Sequence, residues 1–201
     1  MTGACQGSYA DYGGIQPLTP VKNWAISKGY TYQYHGTPRD MIPESAANTI
    51  SHRMSRMSRI MGTKHIVVGF SAGANFSTLL ALRAAQADAD ILLVIQLDAQ
   101  MRSSTTNTQA NYDELSRDHN ISVYGCHSQA YEDGYWRYEN LSTPLVGEII
   151  KLIWDESSIY PRPAYSVQIP GVDEHKELAV RFDVFQTYIQ PELEKAVQGL
   201  Q

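Results

Sequence analysis

The stretch Lys64-His-Ile-Val-Val-Gly-Phe-Ser-Ala-Gly-Ala74 decides the fold of this chain. Its β-branched residues, Ile66 to Val68, predict a buried strand, and the Ala- and Leu-rich segment 72–87 predicts a helix directly after it. A strand that turns straight into a helix needs small residues on both sides of the turn, because the two elements pass within contact distance there. The two glycines that flank Ser71 meet this requirement. We therefore predict a sharp Gly-x-Ser-x-Gly turn that presents the Ser71 side chain beyond the strand.

Two other segments show the spacing of amphipathic helices, in which apolar residues recur at +4, +3 and +4 positions. The first opens at Pro43 and stops at Gly62, and its apolar positions are Ile50, Met54, Met57 and Met61. The second closes the chain, with Leu178, Phe182, Phe185 and Ile189. Further helices are predicted over 20–28, near 112–117 and over 144–154.

The predicted strands alternate with these helices and cover residues 1–5, 30–35, 66–68, 91–97, 121–126 and 165–169. Alternating strands and helices with continuous apolar strands indicate a parallel sheet covered on both faces. We see no repeat or linker, so we expect one domain over residues 1–201. The predicted fold is α/β, a three-layer sandwich with a mainly parallel sheet of about six strands. In such sheets ligands bind beyond the carboxyl ends of the strands.

The composition of the chain limits its possible partners. A formal charge of −5 and a pI near 5.6 argue against a nucleic-acid partner, which normally needs a basic surface. No apolar run approaches the roughly 18 residues of a membrane span. The start Met1-Thr-Gly-Ala lacks a signal-peptide core, so we expect a cytoplasmic location. The two cysteines, Cys5 and Cys126, do not resemble a metal site, and we expect neither metal nor organic cofactor.

A serine hydroxyl needs a nearby base to act as a nucleophile, and His175 has the best position for that role. It follows the last predicted strand, on a loop set up by Pro170-Gly171, and such a loop can fold back toward Ser71. The order Ser, acid, His along the chain also fits a hydrolytic triad. His127 is the competing candidate, because it too follows a strand end.

The acid that would orient the imidazole has two candidates. Asp98 ends the strand after the Ser71 helix, whereas Asp133 lies in the loop after the fifth strand. Asp173 is only two residues from His175, which is too close in sequence to orient it. Asp98 is favoured over Asp133, and both stay open here.

Two motifs resemble the α/β-hydrolase superfamily: Gly69-Phe-Ser-Ala-Gly73 and the late Pro170-Gly171…His175. The resemblance spans Thr2 to Ile189 and is closest to small, cutinase-sized, lidless esterases and lipases. It implies the strand order 2-1-3-4-5-6. Much of the family carries the acid in a Gly-x-x-Asp pattern, where this chain has Ser128, and that departure favours an acid one strand earlier.

The resemblance also implies an oxyanion hole built from the residue after the serine and from an early loop. In this sequence those positions are Ala72, Cys5 and Gln6. In the implied strand order, Cys5 and Cys126 end strands that are three steps apart, about 14 Å. A disulfide needs Cα atoms within about 7 Å, so both cysteines are predicted to be free thiols.

The sequence therefore indicates a serine hydrolase that cleaves carboxylic esters, with thioesters as a further class. Three aromatic residues are candidates to line a site for the lipid or sugar part of a small ester beyond the carboxyl ends of the strands: Tyr9, Tyr131 and Trp136. The alternative is a non-catalytic binding module, or a pseudoenzyme, that uses the Gly-rich turn to hold an anion at the helix N-terminus. The sequence leaves the acyl and alcohol parts and the oligomeric state open.

Overall fold

A parallel sheet of five strands forms the middle layer of the molecule. The computed structural model describes residues 2–4, 16–35, 43–99, 109–128, 131–132, 135–136, 165–173 and 177–198. The sheet strands are β1 (Thr2–Ala4), β2 (Lys64–Ser71), β3 (Asp90–Leu97), β4 (Ser122–His127) and β7 (Tyr165–Gln168). They lie in chain order, β1-β2-β3-β4-β7, and every neighbouring pair is parallel. A separate antiparallel pair is formed by β5 (Tyr131–Glu132) and β6 (Tyr135–Trp136).

The helices agree with the periodicity of the sequence over most of their length. The long helix opens at Pro43 and ends at Met61, as predicted, and Gly62 follows it with a φ of 64°. Positive φ is the usual backbone state of a glycine that ends a helix. The predicted helix over 144–154 lies outside the described residues. The helices are α1 (Thr19–Ser27), α2 (Pro43–Met61), α3 (Ala72–Gln86), α4 (Gln109–Arg117), α5 (Glu177–Val180), α6 (Phe182–Val184), a π-helical turn (Phe185–Ile189) and α7 (Gln190–Val197).

Both faces of the sheet are buried beneath helices. Alternate strand residues such as Val68, Phe70 and Ile95 pack with α1 and the C-terminal helices. Their neighbours Val67 and Val94 point the other way and pack with α2, α3 and α4. The predicted α/β class, with a parallel sheet and helices on both sides, is therefore confirmed.

The prediction of a strand over residues 30–35 is wrong. This segment leaves α1 through Gly29, whose φ is 78°, and it contains only an isolated bridge residue at His35. Tyr30 instead donates its backbone N–H to the Ala25 carbonyl at 2.8 Å and lies against Trp24, with the two ring centroids 5.7 Å apart. The described sheet therefore has five strands instead of six. Alternating side chains were not enough to make a strand, because the segment folds back on its own helix.

The C-terminal helix is broken where the periodicity predicted a continuous one. Arg181 has an extended backbone, with φ −77° and ψ 122°, between α5 and α6. The break changes which side chains face the core. Leu178, Phe185 and Ile189 are buried as predicted, but Phe182 is 45% exposed.

Candidate active site

Ser71 occupies a strained turn between β2 and α3. Its backbone has φ 58° and ψ −131°, a conformation that residues with a side chain rarely adopt. Such a conformation costs about 1–3 kcal/mol and persists only where the surrounding structure imposes it. The predicted sharp turn at Ser71 is therefore present, and the serine is half-buried at the end of the strand.

The contact between strand and helix explains why residue 69 is a glycine. A Cβ added at Gly69 would lie 2.6 Å from the Cα of Ala74, which is closer than real Cβ atoms approach a backbone atom. The backbone of β2 thus touches the first turn of α3 directly. The predicted need for a small residue before Ser71 is confirmed.

The hydroxyl of Ser71 does not cap the helix that it precedes. Serine at this position commonly accepts a hydrogen bond from a backbone N–H of the first helical turn. Within the described residues, Ser71 makes no such capping bond to α3. The ordinary structural role of a serine before a helix therefore does not account for this side chain.

The N-terminus of α3 lies directly after Ser71 and provides backbone N–H groups. The first four N–H groups of a helix have no carbonyl partner within it, and the aligned peptide dipoles add a partial positive charge of about 0.5. Ala72 is the first residue of this 15-residue helix. On the other side, Ala4 at the end of β1 pairs in register with Ser71. Cys5 and Gln6, the other predicted oxyanion-hole residues, lie outside the described residues.

Asp98 is fully buried and its carboxylate is held by Ser128. One carboxylate oxygen accepts a hydrogen bond from the Ser128 backbone N–H at 2.7 Å, and the other accepts one from the Ser128 hydroxyl at 2.6 Å. The Asp98 backbone has a φ of 45° and donates its N–H to the carbonyl of Cys126 at 2.8 Å. These bonds fix the carboxylate between the ends of β3 and β4.

Ser71, Asp98 and His127 lie at the same end of the sheet. The last residues that pair in one row across β2, β3 and β4 are Phe70, Leu97 and Cys126. The three site positions follow these residues directly. Neighbouring strands are about 4.8 Å apart, so the three backbones follow one another at about that spacing. His127 is 5% exposed, and its carbonyl accepts a hydrogen bond from the Ile169 N–H at 2.8 Å. His175 and Asp133, the other candidate base and acid, lie outside the described residues.

A buried polar network under α3 was not predicted. Gln96 is fully buried in β3, and its side-chain amide donates to the Ala74 carbonyl at 2.9 Å and to the Thr78 hydroxyl. The Tyr112 hydroxyl of α4 donates to the Gln96 side-chain oxygen at 3.0 Å, and burial raises the pKa of this phenol. The network ties the first turn of α3, next to Ser71, to the sheet and to α4.

Two glycines make room for the Gln96 side chain. In the sheet register, Gly69 of β2 and Gly125 of β4 are the direct neighbours of Gln96 on either side. Neighbouring residues in one row of a parallel sheet point to the same face, so neither neighbour competes for that space. A single polar residue inside the apolar run of 91–97 was the sequence signal for this network.

The remaining predicted residues are only partly described. Tyr131 and Trp136 pair with each other across the antiparallel ribbon of β5 and β6. Tyr9 lies outside the described residues. Cys126 is a buried free thiol, as predicted, and burial raises its pKa, whereas Cys5 lies outside the described residues.

No protein-family model, curated protein or solved structure matches this chain. Among the described residues, no helix is long and apolar enough to cross a membrane. The same part of the chain contains no group of three or more His, Cys, Asp or Glu residues placed to hold a metal ion.

Proposed function

We propose that this protein is a serine hydrolase that cleaves carboxylic esters, and thioesters as a second class. The backbone of Ser71 carries the proposal. Its strained conformation between a buried strand and a helix N-terminus, with a hydroxyl that does not cap the helix, suits a nucleophile. Backbone strain of this kind is concentrated at functional sites.

In the proposed reaction, the Ser71 hydroxyl oxygen attacks the acyl carbonyl carbon while its proton passes to the imidazole of His175. The carbonyl oxygen becomes an oxyanion that accepts hydrogen bonds from the Ala72 N–H and from the loop that contains Cys5 and Gln6. The imidazolium then donates its proton to the departing alcohol or thiol. In the second half of the reaction, His175 takes a proton from a water molecule while the water oxygen attacks the acyl carbon. The imidazolium then returns the proton to the Ser71 oxygen, which releases the acid.

Asp98 is the proposed orienting acid. The two hydrogen bonds from Ser128 hold its carboxylate in one place at the end of β3. Its burial next to the strand that carries Ser71 supports Asp98 over Asp133. Ser128 stands where many α/β-hydrolases have the acid, and here it supports the acid of the preceding strand.

His127 is the alternative base at this site. It lies in the same row of the sheet as Ser71 and Asp98, two strands away from the serine. Its side chain is almost fully buried, whereas a base that also serves the hydrolytic water needs access to solvent. We therefore keep His175 as the proposed base.

We also propose that the fold is of the α/β-hydrolase type. The five strands lie in the order that the resemblance implies for the strands other than residues 30–35. The turn at Ser71 and the helices on both faces agree with this assignment.

Turnover of a short-chain aryl ester tests the proposed function. We expect Ser71→Ala to reduce kcat/KM by about 10³-fold or more, because the nucleophile is lost. Ser45→Ala, which changes an exposed serine on α2, is the matched control and should keep full turnover. Full turnover by Ser71→Ala would contradict the proposal, and no turnover by the native protein would favour the non-catalytic binding module.

A further inference from the structure

A second candidate site lies at the amino-terminal end of the sheet, away from Ser71. It is a cavity of about 370 Å³ between the start of β2, the end of α1, α2 and α7. His65 lines it, and Ser71 comes six positions after His65 in the same strand. At about 3.3 Å per residue, the two positions are about 20 Å apart along β2. The cavity is therefore distinct from the proposed active site.

The walls of the cavity are mainly apolar and flexible. The apolar stripe of α2 supplies Met54, Met57 and Met61, and Ile66 and Leu92 come from the sheet. Unbranched methionine side chains adapt to the shape of an apolar ligand. A volume of this size is within the range of small-molecule sites.

The described lining of the cavity contains no Asp or Glu side chain, and its charged side chains are basic. Arg53 and Lys64 line the cavity together with His35 and His65. Lys64 forms an exposed ion pair with Asp90 at 3.7 Å, whereas Arg53 forms no ion pair with any described residue. Burial, and to a smaller degree the Arg53 charge, lowers the pKa of His35. Basic side chains thus line this apolar cavity although the net charge of the whole chain is −5.

Trp24 provides a second sign of a missing polar ligand. It lines the cavity and is only 8% exposed. Its buried indole N–H has no acceptor among the described residues. Buried tryptophans usually place this N–H against a hydrogen-bond acceptor. An oxygen atom of a bound ligand would supply the acceptor.

We propose that this cavity binds an unbranched apolar chain that ends in a carboxylate. The methionines and aliphatic residues contact the chain, and the Arg53 guanidinium, with its fork of N–H donors, pairs with the carboxylate. The site is independent of the chemistry at Ser71. Its ligand class is set by the combination of an apolar wall, a basic lining and an unsatisfied indole donor.

Calorimetric titration with decanoate tests this proposal on the full chain. We expect Arg53→Gln to weaken decanoate binding about tenfold or more, because a charge-assisted hydrogen-bond pair is lost. Arg56→Gln changes an exposed arginine of the same helix that does not line the cavity, and it should leave the affinity unchanged. Met57→Trp, which fills the cavity, should abolish binding.

Two ligand controls separate charge from chain. Decanol should bind at least tenfold more weakly than decanoate, and decylammonium should not bind. Ser71→Ala should bind decanoate as the native protein does, which separates this site from product binding at the proposed active site. Absence of decanoate binding, equal effects of Arg53→Gln and Arg56→Gln, or equal affinity for decanol would each overturn the proposal.

Discussion

The carboxyl end and the amino end of the central sheet differ in the hydrogen bonds of individual buried side chains. At the carboxyl end, the buried carboxylate of Asp98 and the buried amide of Gln96 are held by hydrogen bonds from or to neighbouring elements. At the amino end, the indole N–H of Trp24 is buried without a described acceptor, beside a cavity of about 370 Å³.

Residues other than glycine with positive φ angles lie at both ends of the sheet, and at the amino end they are Asp88 before β3 and Asn120 before β4. Ser71 and Asp98, both at the carboxyl end, have positive φ angles although neither is a glycine. At the amino end the positive φ angles nearest to the cavity belong to Gly29 and Gly62, which tolerate them at little cost. Ser71 is thus held in a strained conformation at the end of its strand, as a catalytic nucleophile requires, whereas the cavity at the amino end has space and adaptable side chains, as a binding site for a variable chain requires.

The largest effect should come from the proposed base. We expect His175→Ala to lower ester turnover by about 10³-fold or more, because Ser71 then has no acceptor for its proton. His127→Ala should keep most of the activity. The measurement is kcat/KM for a short-chain aryl ester, with thermal unfolding as the control for folding. The reverse result would move the base into the row of Ser71 and Asp98.

A slightly smaller effect is expected at the acid. Asp98→Asn should lower turnover by about 10²- to 10³-fold, because an amide does not hold the productive imidazole tautomer. Asp133→Asn should have a mild effect on the same assay. An inactive Asp133→Asn beside a nearly native Asp98→Asn would show that the hydrogen bonds from Ser128 to Asp98 are structural only.

Glycine substitutions compare the packing of the two ends. Gly69→Ala should lower the free energy of unfolding by about 3 kcal/mol, because its Cβ meets the backbone of α3. Gly62→Ala has open space around the added Cβ, so only its φ of 64° is strained, at a cost of about 1 kcal/mol. Urea unfolding measures both. Equal losses would mean that α3 yields and that the turn at Ser71 is not tightly imposed.

The smallest effect concerns pH and the amino end. Burial lowers the pKa of His65 below its ordinary value of 6.5, against the opposing influence of its hydrogen bond to the Met54 carbonyl. The unfolded chain therefore binds more protons here than the folded chain, and His65 lowers the stability as the pH falls through 6.5. We expect the Tm of His65→Gln to decrease less than that of the native protein when the pH is lowered from 7.5 to 5.5. His52→Gln, at an exposed position on α2, should behave as the native protein does, and an identical loss of Tm in all three would refute the assignment.

Features with a local cause were the ones that the sequence predicted well. The turn at Ser71 depends on small residues within two positions of the serine, and α2 carries its start, its stripe and its stop in one continuous segment. The strand over 30–35 failed because a strand depends on a partner, and this segment packs against α1. The prediction that Phe182 faces the core with its helical neighbours was wrong because the extended backbone at Arg181 interrupts the helix.

Support for the candidate site depends on contacts that are distant in sequence. Asp98 and Ser128 are 30 residues apart, and Gln96 reaches Ala74 across 22 residues. Spacing along the chain does not show which polar residues meet at such distances. The sequence pointed to Asp98 as a candidate acid, but it did not indicate that Ser128 would hold the carboxylate in place.

Covalent labelling with a fluorophosphonate, followed by peptide mapping, tests the catalytic role of Ser71 most directly. An activated serine reacts with this probe, whereas an ordinary hydroxyl does not. We predict one adduct per chain, located on Ser71 and absent from a folded Ser71→Ala variant. A native protein that takes up no probe, or that carries the adduct on another residue, would contradict the proposal that the strained turn presents a catalytic nucleophile.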